Sequence, residues 1–222
     1  MRNILKTSCL FIVFVCMISD VYGQNAIGGK IGYNIATFRG DTEEFEDKGF
    51  VFGLQFGGVF EYGINDQFSI QPELLYIKKG VSNEFLGFDG DGQTDLIFNY
   101  IELPILVKYK YGATENLNLY FTGGPTVGFL ESGRSETDLF VGGDRIEENV
   151  DLEFGDDDSF RRFEIGISIG IGAYIPLGVG NLFGEARFAT GITDLNDNDL
   201  SDASTSNIGL GLSIGYLYPL GN

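Results

Sequence analysis

From Ala26 to Leu220 the chain alternates apolar and polar residues with a period of two, in eight separate stretches. That period sends successive side chains to opposite faces of an extended strand, so each stretch reads as a β-strand with one apolar and one polar side. The stretches are Ala26–Phe38, Phe50–Tyr62, Phe68–Lys79, Ile97–Tyr111, Leu117–Gly133, Phe160–Pro176, Leu182–Leu195 and Asn207–Leu220. The sixth is the plainest: Phe163, Ile165, Ile167, Ile169, Ile171 and Ile175 fall on one face, and Glu164, Gly166, Ser168, Gly170, Gly172 and Tyr174 on the other. No segment carries a convincing helical period, and after the first 23 residues no apolar run is long enough for a membrane-spanning helix.

The connectors between the stretches alternate long and short. The short ones are built from Gly, Asn and Asp, residues that tolerate the backbone angles of tight turns. The long ones hold the net charge: −3 over 39–49, −4 over 80–96, −8 over 134–159 and −3 over 196–206, which together equal the −18 of the whole chain. A charge-balanced wall with short turns at one end and long polar loops at the other is what a small outer-membrane barrel requires. The expected fold is therefore all-β: an eight-stranded antiparallel up-and-down transmembrane β-barrel with short periplasmic turns and four long acidic extracellular loops. Phe60, Tyr62, Tyr109, Tyr111, Tyr216 and Tyr218 sit at the short-turn ends, where an interfacial aromatic girdle belongs.

The polar faces are mostly glycine and serine with single charges, which suits the crowded interior of a narrow barrel. The bulky faces then meet lipid. By alternation Lys30, Glu61, Glu73, Glu102, Lys108, Glu164, Glu185 and Arg187 point into the lumen with Gln55 and Gln71 beside them, and Lys79 and Lys110 balance them nearer the rims. Unpaired charge in so tight a space costs several kcal/mol per ion, so the expected arrangement is a plug of mutual ion pairs. A narrow ion or proton path is the sharper alternative. A paired-carboxylate catalyst needs an open cleft, which a lumen this narrow does not offer.

The N-terminus reads as an export signal. Arg2 and Lys6 open it, Leu10–Ile18 form a short apolar core, and cleavage is expected between Gly23 and Gln24, leaving 24–222 as a single barrel domain. Both cysteines, Cys9 and Cys16, lie in this signal, and the chain has no histidine. Disulfides, thiolate chemistry and Ser-His or Cys-His nucleophiles are thereby removed from the remaining chain. With a pI near 4.1, a nucleic-acid backbone would be repelled.

Several segments carry a family resemblance. These are Gly28–Asn34 (GGKIGYN), Gly53–Gly80 (GLQFGGVFEYGINDQFSIQPELLYIKKG), Tyr100–Gly112 (YIELPILVKYKYG) and Leu119–Leu130 (LYFTGGPTVGFL). Together they resemble the PorT-like outer-membrane β-barrel family of Bacteroidota. The resemblance covers nearly all the chain after the signal and is strongest from 28 to 130. It implies an eight-stranded outer-membrane barrel, and an accessory role in protein secretion and gliding for one namesake of the family.

Two connectors invite further readings. Asp89, Asp91 and Asp95, spaced around glycines, resemble part of a calcium loop, but the twelve-residue pattern and its closing Glu are missing. A solvated acidic turn is the favoured reading and Ca2+ the lesser one. The third long connector, with Glu147, Glu148, Asp151, Glu153 and Asp156–Asp158, reads as a solvated, mobile segment. The functional expectation is a non-enzymatic outer-membrane barrel whose acidic loops bind or shield and whose lumen is plugged. The PorT-like secretion role and a narrow channel stand as alternatives. The expected partner is outer-membrane lipid, with surface polysaccharide or secretion-machinery proteins as further candidates and no nucleic acid.

Overall fold

A computed structural model describes residues 25–40, 48–87, 90–112, 117–142, 144–152, 161–194 and 205–221. The proposed signal and its Gly23–Gln24 cleavage site lie outside these residues, as does Asp89.

Nine strands form: β1 (Ala26–Arg39), β2 (Lys48–Gly63), β3 (Phe68–Gly87), β4 (Gly90–Gly112), β5 (Asn118–Val141), β6 (Asp144–Leu152), β7 (Phe163–Leu177), β8 (Gly180–Gly191) and β9 (Ser206–Pro219). Every pairing is antiparallel. Eight strands close into a ring, β1-β2-β3-β4-β5-β7-β8-β9, with β9 returning to β1. The last pairing runs from Ala26 opposite Pro219 to Arg39 opposite Ser206. Closure leaves no sheet edge within the ring, so its main-chain donors and acceptors can be satisfied among the strands.

The two faces follow the period of two. In β7 Ser168 is 1 % exposed and its neighbour Ile169 60 % exposed. Ile31, Phe52, Leu54, Ile165, Leu212 and Ile214 are likewise exposed on the outside, whereas Lys30, Gln55, Glu164 and Ser213 are buried inside. Interior glycines make room for the few large interior side chains: a Cβ at Gly172 would collide with the ring of Tyr120, and one at Gly215 with the ring of Phe183. At the short-turn end Asn65 accepts hydrogen bonds on Oδ1 from the backbone N–H groups of Gln67 (2.9 Å) and Phe68 (2.8 Å), closing the β2–β3 turn. Gly178 takes a positive φ of 64° in the β7–β8 turn, a conformation that favours glycine. Tyr111 and Tyr218 are exposed at this same end, and Phe68 stacks obliquely on Tyr109 at 5.1 Å.

The ninth strand corrects the sequence reading. The connectors 80–96 and 134–159 are not open loops throughout. β3 and β4 run on as a paired ribbon up to Gly87 opposite Gly90. β5 continues to Val141 and folds back as β6, paired from Val141 opposite Asp144 to Gly133 opposite Leu152. Because β4 also pairs with this part of β5, the upper segments of β3, β4, β5 and β6 make one four-stranded sheet projecting beyond the ring. Cross-strand pairing of the polar residues is the physical reason: Thr94 meets Thr137 (3.1 Å), Gln93 donates to Ser82 Oγ (3.0 Å) and Arg134 donates to Asp151 (2.8 Å).

Candidate functional site

Two regions hold the polar chemistry: the lumen of the ring and the projecting sheet.

Lysine, arginine and glutamate side chains from β1, β2, β3, β4, β7 and β8 meet on the axis in three tiers. Nearest the short turns, Glu61 receives Lys108 Nζ at 2.8 Å and Lys110 Nζ on its other oxygen, while Ser69 Oγ donates at 3.2 Å. Lys108 Nζ also lies 4.2 Å from the centre of the Tyr120 ring. In the middle tier Arg187 donates from both terminal nitrogens to the two oxygens of Glu73, each at 2.7 Å. Lys30 Nζ adds a contact to Glu73 at 2.7 Å, and Gln71 donates to the same carboxylate at 2.6 Å. Glu185 receives Arg187 at 2.6 Å and Lys30 at 3.5 Å. Nearest the long connectors, Lys79 bridges Glu102 (2.7 Å) and Glu164 (3.1 Å), and Asn207 donates to Glu164 at 3.0 Å.

All eight lumen residues read from the alternation, Lys30, Glu61, Glu73, Glu102, Lys108, Glu164, Glu185 and Arg187, are buried in this network. Lys79 bridges two carboxylates in the tier nearest the long connectors, and Lys110 joins the tier nearest the short turns. With Lys79 and Lys110, five acids face five bases. Two apolar clusters interleave with the tiers: Val59, Tyr120, Phe183 and Leu217 around the one nearest the short turns, and Phe38, Ile77, Val81, Phe98, Tyr100 and Leu130 around the one nearest the long connectors. Beside Lys79, Glu164 and Asn207 a cavity of about 20 Å³ remains, room for about one water molecule. Asn207 and the apolar cluster toward the long connectors carry no charge, so the ionisable residues of the sequence do not point to them. Their place on the inner face of the alternation was the available signal.

The projecting sheet is amphipathic. The inner face of the ring continues upward through Phe85, Leu96, Leu139, Ile146 and Val150, with Phe85 and Leu139 packed over Gly92. The outer face carries the charge. Arg134 pairs with Asp151 (2.8 Å), and Arg145 with Asp138 (3.1 Å) and Glu147 (3.2 Å). These hydrogen-bonded carboxylates hold both guanidinium groups above their ordinary pKa. Over residues 134–152 six acids stand against two arginines. The sequence did carry a signal for the β5–β6 hairpin: Gly142-Gly143 between alternating residues is a turn dipeptide, and Gly142 has a φ of 62°.

Asp91 and Asp95 lie on β4 and not in a loop. Four residues apart on an extended strand they are separated by about 13 Å, too far to share a cation whose ligands sit at about 2.4 Å. Asp95 instead accepts from Gln93 at 2.9 Å. Among the described residues no cluster of three carboxylates could hold a metal ion.

Solved structures of bacterial surface barrels are similar in outline. Neisserial surface protein A is 13 % identical with a TM-score of 0.43, covering 87 % of this chain and 97 % of its own. The attachment invasion locus protein Ail of Yersinia pestis is 14 % identical with a TM-score of 0.32, covering 88 % and 99 %. The outer membrane protein OprG of Pseudomonas aeruginosa is 14 % identical with a TM-score of 0.39, covering 90 % and 100 %. Comparison with curated proteins finds no match. Residues 22–197 match the family described as outer membrane protein beta-barrel domain. With a closed antiparallel ring, an apolar outside and that match over most of its length, the chain belongs to this family of outer-membrane β-barrels.

Proposed function

We propose that this protein is a non-enzymatic, non-conducting transmembrane barrel that serves as a rigid pedestal for an acidic sheet held outside the cell. One observation carries the reading: the lumen is occupied by paired charges in three tiers, with buried apolar side chains packed among them. A conducting path needs water continuous from end to end. Here each carboxylate in the narrow interior is held by one or more cations, and separating such pairs exposes charge in a low-dielectric setting. The short turns face the periplasm and the long hairpins face outward, the usual disposition of such barrels. The export signal delivers the chain to this membrane.

Purified protein reconstituted in planar bilayers should give no discrete conductance steps. Reproducible steps from the parent protein would overturn the pedestal reading in favour of a narrow channel.

The projecting sheet also supports the accessory role in secretion that the PorT-like resemblance implies, because it offers a protein-sized surface beyond the membrane. Deleting the gene and following secreted protein in the medium tests that reading: an unchanged secretome removes it. Surface polysaccharide, itself commonly anionic, would need bridging divalent cations to approach this sheet.

A further inference from the structure

The ring has no edge, but the projecting sheet has two: the short stretch of β3 beyond Asn83, where pairing with β2 stops, and the whole of β6. β6 pairs with β5, and among the described residues no other strand lies against it. A nine-residue strand at a sheet edge presents a row of main-chain donors and acceptors, a template for another extended segment. The hairpin register identifies them. Val141 stands opposite Asp144 with two residues between them, a spacing at which the flanking pair exchanges both hydrogen bonds. Alternation then directs the backbone N–H and C=O groups of Ile146, Glu148 and Val150 to β5. Those of Arg145, Glu147, Asn149 and Asp151 are directed to the open edge.

The side chains select the occupant. β6 carries Asp144, Glu147, Glu148 and Asp151 against Arg145 alone. A second copy of this chain pairing β6 to β6 would bring together two strands that each carry four acids and one arginine, which is unfavourable. An entirely apolar strand would leave Glu147 and Asp151 on the outer face without a counter-charge, and would meet Glu148 on the inner face as well. A strand alternating basic and apolar residues answers the outer face with charge and leaves only Glu148 set among apolar neighbours on the inner one. Its cations meet Glu147 and Asp151 on the charged side, and its apolar side chains continue the exposed patch of Ile146 and Val150.

We infer that β6 is a docking edge for an extended basic peptide segment of a partner protein, which adds to the projecting sheet as a further strand. The inference deepens the pedestal reading and rests on it for the outward placement of the sheet, but its test does not depend on conductance. The full chain is reconstituted in nanodiscs, open from both sides. A fluorescently labelled peptide of alternating lysine and valine, as long as β6, is titrated and followed by anisotropy. Saturable binding that weakens with added salt is expected, and a glutamate–valine peptide of the same pattern does not bind.

Asn149→Pro separates main-chain docking from charge attraction. It removes one outward N–H, leaves the β5–β6 ladder and the net charge intact, and weakens binding by about tenfold, the order of one or two main-chain hydrogen bonds. Methylating alternate backbone nitrogens of the peptide, so that the edge-facing donors are lost, has the same effect on the unaltered protein. Glu147→Gln combined with Glu148→Gln weakens binding and flattens its salt dependence. Failure of the lysine–valine peptide to bind overturns the inference. So does undiminished binding by both the Asn149→Pro protein and the methylated peptide, which would mean attraction without strand addition. A silent bilayer with no peptide binding leaves the pedestal and removes the edge; conductance with binding does the reverse.

Discussion

Two arginine–carboxylate pairs in this molecule have nearly the same length and opposite meanings. Arg187 holds Glu73 at 2.7 Å with side-chain exposures of 10 % and 0 %. Arg134 holds Asp151 at 2.8 Å with exposures of 50 % and 78 %. Distance alone would rank them equal. The surroundings do not: inside the ring neither partner can return to water, so removing one strands the other, whereas on the projecting sheet solvent replaces a lost partner at once. The interior is accordingly neutral, with five acids for five bases, while residues 134–152 carry six acids for two arginines. Charge in the lumen is constrained by stability. Charge on the sheet is free to be set by whatever the sheet meets.

The contrast can be broken at three points. Arg187→Ala should cost about 3–5 kcal/mol, because Glu73 and Glu185 both lose a buried cation. Unfolding in urea, read by the gel-mobility difference between folded and unfolded barrel, measures it, and a loss close to zero would mean that water fills the interior. Ile169→Lys, at the middle of the exposed face of β7, should cost about 2–4 kcal/mol in a bilayer. Equal stability of this variant and the parent in lipid would place that face in water. Arg134→Ala should leave the urea midpoint where it was, since both members of its pair are exposed. A midpoint shift as large as that of Arg187→Ala would erase the distinction between the two regions.

The ring was legible in the residues because its physics is periodic. Ile165, Ile167 and Ile169 alternate with Gly166 and Ser168 since one side of β7 is exposed and the other faces a crowded axis, and no tertiary detail is needed to see it. The lumen residues followed from the same alternation. Their partners did not: that Lys79 reaches both Glu102 and Glu164, or that Glu73 gathers Arg187, Lys30 and Gln71, depends on strand stagger, which a sequence does not state. The projecting sheet is hidden in the sequence for a different reason. Glu136, Asp138, Glu147 and Asp151 lower the apparent strand propensity of their segments. The cross-strand arginines that neutralise part of that charge become visible only once the hairpin register is known. Gly142-Gly143 is the local signal of the hairpin that the sequence does hold.

The seam between β1 and β9 joins the two ends of the described chain, and such a join between remote segments is among the slowest to form. Lys30 belongs to β1, Glu73 to β3, and Glu185 and Arg187 to β8. A half-assembled wall therefore carries ions, Glu73 and Arg187 among them, whose partners across the lumen arrive only as the cylinder shuts. Insertion is thereby tied to completion: a truncated chain lacking its last strand would leave the lumen charges open to lipid, so partial products make poor residents of the bilayer and ready targets for removal.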